Sequence, residues 1–137
     1  MKNITFEKYQ GNGNDFVVID SRGNDLYKNY KTNKIFDIKK ICNRQFGIGA
    51  DGVIFIEEPN EDNYAKMIIF NSDGSEAQMC GNGIRCLVEY LHVNDSMNNK
   101  NIEYKIETKA GLKIAKYIND EITVKMGVPI LESQNIP

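Results

Sequence analysis

Short apolar runs broken by Gly, Asn and Asp set the rhythm of this chain, and that rhythm predicts strands. ITFEKY (4–9) and DFVVID (15–20) flank the turn-like QGNGN. GVIFIEE (52–58) and YAKMIIF (64–70) are β-rich, and the acidic EEPNED between them reads as a solvated loop. IEYKIET (102–108), LKIAKYI (112–118) and EITVKM (121–126) follow, with KAG and IND as the turns between them.

Two segments have helical spacing instead. IFDIKKICNRQFG (35–47) puts Ile35, Ile38, Ile41 and Cys42 on one side, with Gly47 as the stop. GNGIRCLVEYLHVND (81–95) carries Ile84, Leu87, Val88 and Leu91 at i, i+3, i+4 and i+7. Cys86, Tyr90 and Val93 widen that stripe until little of the helix is left for water, as in a buried helix. Arg85 and Glu89 stand four apart, placed to pair on the remaining face. The polar NDLYKNYKTNK (24–34) reads as loop. Many short strands around one buried helix predict an α+β domain: a curled, mostly antiparallel, barrel-like sheet wrapped around a central hydrophobic helix. The ending GVPILESQNIP has two of the three prolines and no periodicity. The domain is therefore expected to occupy 1–127, with a linker beginning at 128–137.

At 137 residues and 41% hydrophobic, the chain suits one domain with a real core. A net charge of −2 without a Lys/Arg-rich run argues against nucleic acid as a partner. No apolar stretch approaches the roughly 20 residues of a membrane span, and MKNITFEKYQ has no apolar signal region. The expectation is a cytoplasmic protein away from membranes. Three cysteines make an odd count for a disulfide framework. The Cys80–Cys86 spacing and the single His92 do not make a zinc site, so no metal is expected. Cys42 and Cys86 read as buried packing, and His92 as a solvated residue near a helix end.

The chemistry concentrates in NSDGSEAQMCGNGIRC (71–86). Cys80 stands directly before Gly-Asn-Gly at a predicted helix start. The first four N–H groups of a helix lack internal partners and, with the macrodipole, form an anion site. Such a position stabilises a thiolate. A carboxylate can dock on the N–H groups of Gly81, Asn82 and Gly83, where glycine presents no side chain to block it. A thiolate base beside a carboxylate cradle suits removal of the α-proton of an amino acid, because neutralising the carboxylate stabilises the carbanion-like transition state. Inverting the centre also needs an acid on the opposite face, and this chain has one such loop. Spacing alone leaves a second reading open, in which Cys80 is structural, the glycines are a plain cap and Asp73-Gly74 is a simple turn.

QGNGNDFVVID, NRQFGIGADGVIFIE and MIIFNSDGSEAQMCGNGIRC, in that order across most of the chain, resemble the N-terminal half of diaminopimelate epimerases. The resemblance implies a family independent of pyridoxal phosphate and of metal, with no cofactor. Its members interconvert LL- and meso-diaminopimelate, in lysine and peptidoglycan biosynthesis, with two cysteines, one from each of two similar domains. Cys80 falls on the first catalytic cysteine, and Gly81 and Asn82 on the positions that hold the substrate α-carboxylate. Asn14 and Asn71 fall on side chains that bind substrate polar groups. Some relatives carry a substrate-binding Gln where Gly52 stands, a role glycine cannot fill. The second cysteine belongs to a C-terminal domain not present here, so the isolated chain is expected to be inactive and to expose surface that could drive homodimerisation. Two alternatives stand beside this reading. One is a racemase or epimerase of another amino acid, against whose proline branch Asn82 argues, since those enzymes carry His there. The other is a stand-alone, non-catalytic binding domain.

Overall fold

The computed structural model describes residues 5–11, 13–33, 37–78, 80–95, 101–118 and 121–125; the expected linker at 128–137 lies outside them. Eight strands form one sheet: β1 (Glu7–Gly11), β2 (Asn14–Asp20), β3 (Gly52–Glu57), β4 (Ala65–Asn71), β5 (Glu76–Ala77), β6 (Asn101–Thr108), β7 (Gly111–Ile118) and β8 (Glu121–Lys125). The order is β1-β2-β3-β4-β6-β7-β8, with β5 paired on β4. Among the described residues three helices complete the fold: α1 (Leu26–Asn33), α2 (Ile38–Cys42) and α3 (Gly81–Asp95).

The expected fold class holds. The sheet curls around α3, which packs against β1, β2, β3, β4, β7 and β8. Most pairings are antiparallel, but β2–β3 and β4–β6 are parallel. Parallel neighbours need a long crossover. The first crossover runs through α1 and α2, and the second through β5 and α3. The sheet is therefore mixed.

Side-chain alternation in β2, β3 and β4 feeds two cores. Phe16, Val18, Ile54, Ile56, Met67 and Ile69 point into the curl and meet Ile84, Leu87, Val88 and Leu91 of α3. Val17, Ile19, Val53, Phe55, Ile68 and Phe70 point outward. Strands buried on both faces show continuous apolar runs, which is why FVVI, VIFI and MIIF carry no polar alternation.

The outer core corrects two expectations. Residues 24–34 are not all loop, because α1 lies on this face. Tyr30 stacks on Phe55 at 5.6 Å and meets Phe70 edge-on at 5.5 Å, while Tyr27 tilts against Phe55 at 5.1 Å. Three apolar positions suffice because the helix needs only one narrow face. Asn24 starts it by accepting from Leu26 N–H at 3.0 Å. Conversely, the helix expected over 35–47 is only Ile38–Cys42 among the described residues. Asp37 caps its start, accepting from the N–H groups of Lys39 and Lys40. Asn43 then turns extended, and its Oδ1 accepts from Gln45 and Phe46 N–H, so the chain leaves the helix four residues before Gly47.

For the remaining side-chain expectations the outcome is mixed. Cys42 and Cys86 are buried free thiols, as expected. Arg85 is directed elsewhere than Glu89: it donates to the Ile122 carbonyl of β8 at 2.7 Å. His92 is not simply solvated. Its ring stacks on Tyr117 at 3.6 Å, and Nδ1 lies 3.2 Å from the Tyr104 hydroxyl.

Candidate active site

Strand register brings the candidate residues to one end of the sheet. Phe16 of β2 pairs with Gly52 of β3, and Gly52 pairs with Asn71 of β4. The start of β2, the start of β3 and the end of β4 therefore form one rim. The first turn of α3 enters the curl near this rim, with Gly83 against Ile69 and Ile54. The last turn lies at the opposite end, where Arg22 bridges Asp20 and Asp95.

Cys80 occupies the N-cap position of α3. Its carbonyl accepts the first helical hydrogen bond, from Ile84 N–H at 3.0 Å. The N–H groups of Gly81, Asn82 and Gly83 precede that bond in the first turn of the helix. The Cys80 thiol is free and half-buried, whereas Cys86 is fully enclosed. Burial first, then the nearby Cys80, pushes the Cys86 thiol up to about 12. Burial likewise pushes Cys42 up. Of the three thiols, Cys80 is the one the fold leaves open for chemistry.

Asn14 and Asn82 meet directly: Asn82 Nδ2 donates to Asn14 Oδ1 at 2.6 Å. Hairpin geometry puts Asn14 there. Gly13 turns the chain at φ +90, and Asn14 pairs with Gly11 as the first residue of β2. Asn71 lies on the same rim but is turned into its own loop. Its Nδ2 donates to Ser75 Oγ at 3.1 Å, and its backbone N–H donates to the Ser75 carbonyl at 2.8 Å. Gly74, at φ +91, closes that turn by donating to the Asn71 carbonyl. The structure thus brings together Cys80, Gly81, Asn82 and Asn14, and holds Asn71 to one side.

Behind this group stands a charged network that residue spacing did not single out. Asp51 Oδ2 accepts from Asn14 Nδ2 at 3.3 Å and from Asp15 N–H at 3.0 Å. Arg44 donates to Asp15 at 2.8 and 3.1 Å and to Asp51 at 3.1 Å, and Lys8 lies 3.0 Å from Asp15. Hydrogen bonds from Arg44 foremost hold the Asp15 carboxyl well below the usual carboxylate range, against an opposing push from burial. In the sequence the GNDF and GIGADG segments mark each Asp only as adjoining a turn, not as touching the other. Among the described residues no cluster of His, Cys, Asp and Glu suits a metal ion. Among the same residues no helix is long and apolar enough to cross a membrane.

A half-barrel of this kind, with a helix threaded through the curl, defines a fold found in known racemases, epimerases and relatives. It matches a hydroxyproline epimerase from Agrobacterium vitis with TM-score 0.64 at 16% identity, over 88% of this chain and 40% of that one. It matches a PhzF-family phenazine biosynthesis protein from Bacillus anthracis with TM-score 0.60 at 22% identity, over 90% of this chain and 40% of that one. The sequence narrows the class. The family model described as diaminopimelate epimerase matches residues 6–132, and the chain belongs to that family. The diaminopimelate epimerase of Prochlorococcus marinus strain NATL2A is 53% identical over 139 residues, spanning 100% of this chain and 48% of that protein. That of Methanocella arvoryzae is 48% identical over 141 residues, with the same two coverages. The chain spans about half the length of the curated relatives it matches.

Proposed function

We propose that this chain is the N-terminal half of a cofactor-independent, two-cysteine epimerase that interconverts LL- and meso-diaminopimelate. One observation carries the reading: Cys80, the half-buried free thiol, caps the helix whose first N–H groups adjoin the Asn14–Asn82 pair. Family membership supports diaminopimelate as the substrate.

In this reading the substrate α-carboxylate docks on the N–H groups of Gly81 and Asn82, with the glycine leaving the approach clear. The Cys80 thiolate takes the α-proton: the Cα–H bond breaks, an S–H bond forms, and the electron pair moves toward the held carboxylate. A second thiol, from a C-terminal domain, gives its proton to the opposite face. One proton leaves and one arrives, so the centre inverts and the two sulfurs exchange protonation states. Asn14 and Asn71 orient the substrate's polar groups. For Asn71 this requires its amide to turn away from Ser75. Residues 1–127 form the catalytic half and 128–137 lead toward the second domain. The protein works in the cytoplasm. The exposed Phe46 and Ile48, two residues apart, offer apolar surface to a homodimer.

The test is α-proton exchange in D2O, followed by NMR. The chain joined to its second domain incorporates deuterium into LL-diaminopimelate and forms the meso isomer, and Cys80→Ala does neither. The isolated 137 residues do not turn over. Undiminished turnover by Cys80→Ala, or preference for histidine or proline over diaminopimelate, overturns the reading.

A further inference from the structure

We infer that Asp51 is a positioning residue that fixes which way the Asn14 and Asn82 amides face, an inference that rests on the reading of this rim as the substrate site. Asp51 is held from several directions. Its backbone N–H donates to the Asp15 carbonyl at 2.9 Å and to Asp15 Oδ1 at 3.1 Å. Its Oδ1 accepts from Arg44, and its Oδ2 from Asp15 N–H and Asn14 Nδ2.

The chemistry of the groups sets a direction. An ionised carboxylate only accepts, whereas an amide side chain offers NH2 on one side and an oxygen on the other. Facing Asp51, Asn14 presents its NH2. That turns Asn14 Oδ1 toward α3, where an acceptor demands a donor, and Asn82 answers with its own NH2 at 2.6 Å. The orientation passes from Asp51 through Asn14 to the second residue of the helix that Cys80 caps. The outline of an amide is nearly unchanged when it flips, so packing alone does not choose between the two states. The carboxylate does. Arg44 holds that carboxylate by bridging it to Asp15. Substrate meeting the correctly set amides finds its donors and acceptors matched. Substrate meeting flipped amides finds them reversed.

Asp51→Asn puts an NH2 on one end of the group, so the preference weakens while the shape is kept. Two readouts on the two-domain protein test it. With 15N-labelled asparagine, Asp51→Asn shifts the side-chain amide signals of both Asn14 and Asn82. Asp51→Glu, still an acceptor, restores them at least in part, and Glu107→Gln, across the fold, moves neither. In turnover of diaminopimelate, Asp51→Asn raises KM about tenfold while kcat stays within about threefold, the mark of lost substrate binding rather than lost chemistry. An unmoved Asn82 signal overturns the relay. Moved signals with an unchanged KM overturn its role in the reaction. A wild-type protein with no turnover sinks the epimerase reading, and the amide signals still decide the relay. Arg44→Gln, which frees one side of the carboxylate, carries both readouts if Asp51→Asn does not fold.

Discussion

Gly52 lies under the carbonyl of Phe70: a Cβ on Gly52 would stand 2.5 Å from that oxygen and 3.1 Å from Cε1 of Phe16. A backbone carbonyl inside a sheet cannot swing aside, so β2, β3 and β4 are pinched together at the rim that carries Asn14 and Asn71. Gly52→Ala is therefore expected to destabilise the chain by about 1–3 kcal/mol, the range of overpacking, and to disturb Asn71, the cross-strand partner of Gly52. Urea unfolding measures the first effect. Wild-type stability for the variant would show that the pinch relaxes freely.

Thiol accessibility divides the cysteines. In the folded protein at pH 8, an aromatic disulfide reagent should titrate Cys80 alone, and all three thiols after unfolding. Burial holds Cys42 and Cys86 in the unreactive protonated form. Rapid native reaction of two or three thiols contradicts this. Cys86→Ala should lower stability by about 0.5–3 kcal/mol as a core truncation and leave the Cys80 reaction in place.

At the other end of α3, Arg22 grips two acids at once. It donates to Asp20 at 2.9 and 3.0 Å and to Asp95 at 2.9 and 3.1 Å, and Tyr90 and Tyr64 donate to the same pair. Burial raises Asp20, but the Arg22 hydrogen bonds and charge outweigh it and hold the carboxyl below its ordinary range. Arg22→Ala leaves two half-buried carboxylates facing each other. A loss of about 3 kcal/mol is expected, the low end for a broken buried ion pair because these side chains stay partly wet. The thermal midpoint reports it. A double variant, Arg22→Ala with Asp95→Ala, should lose less than the sum of the two single changes.

Acid should loosen the rim through Asp15. Its folded pKa lies below the unfolded value, so the stabilisation it gives is complete well above about pH 4, where the unfolded carboxyl titrates. It is lost as the pH falls through that point toward the folded pKa. The stability gap between wild type and Asp15→Asn should therefore narrow steadily from about pH 5 downward. A gap independent of pH would remove Asp15 from the acid response.

The strands and the central helix were legible because each stores its pattern locally. The run from Ile84 to Leu91 announces burial on most sides without reference to anything else. Other features needed the partner surface. Leu26, Tyr27 and Tyr30 make too narrow a face to predict α1 until Phe55 and Phe70 are seen beneath it. Asn43 reads as an ordinary polar residue inside a helical run, yet its carboxamide rewards leaving the helix. His92 looks solvated until Tyr117, on β7 against the helix, supplies a ring to stack on. The two parallel pairings were hidden because strand direction depends on crossovers. At the site, Cys80, Gly81 and Asn82 are contiguous and stood out at once. Asp51 acts on Asn14 from 37 residues away, at 3.3 Å, and no local pattern carries that distance.

The placement of α3 also sets a timetable for synthesis. The helix packs on β1, the earliest of the described strands, and on β8, the latest of them. Lys125, which completes β8, is the thirtieth residue after Asp95, the last of the helix. At roughly 5–20 residues per second, the helix emerges about 2–6 s before the strand that covers its last open side. During that interval the apolar face of the helix, Ile84, Leu87, Val88 and Leu91, is open to a chaperone.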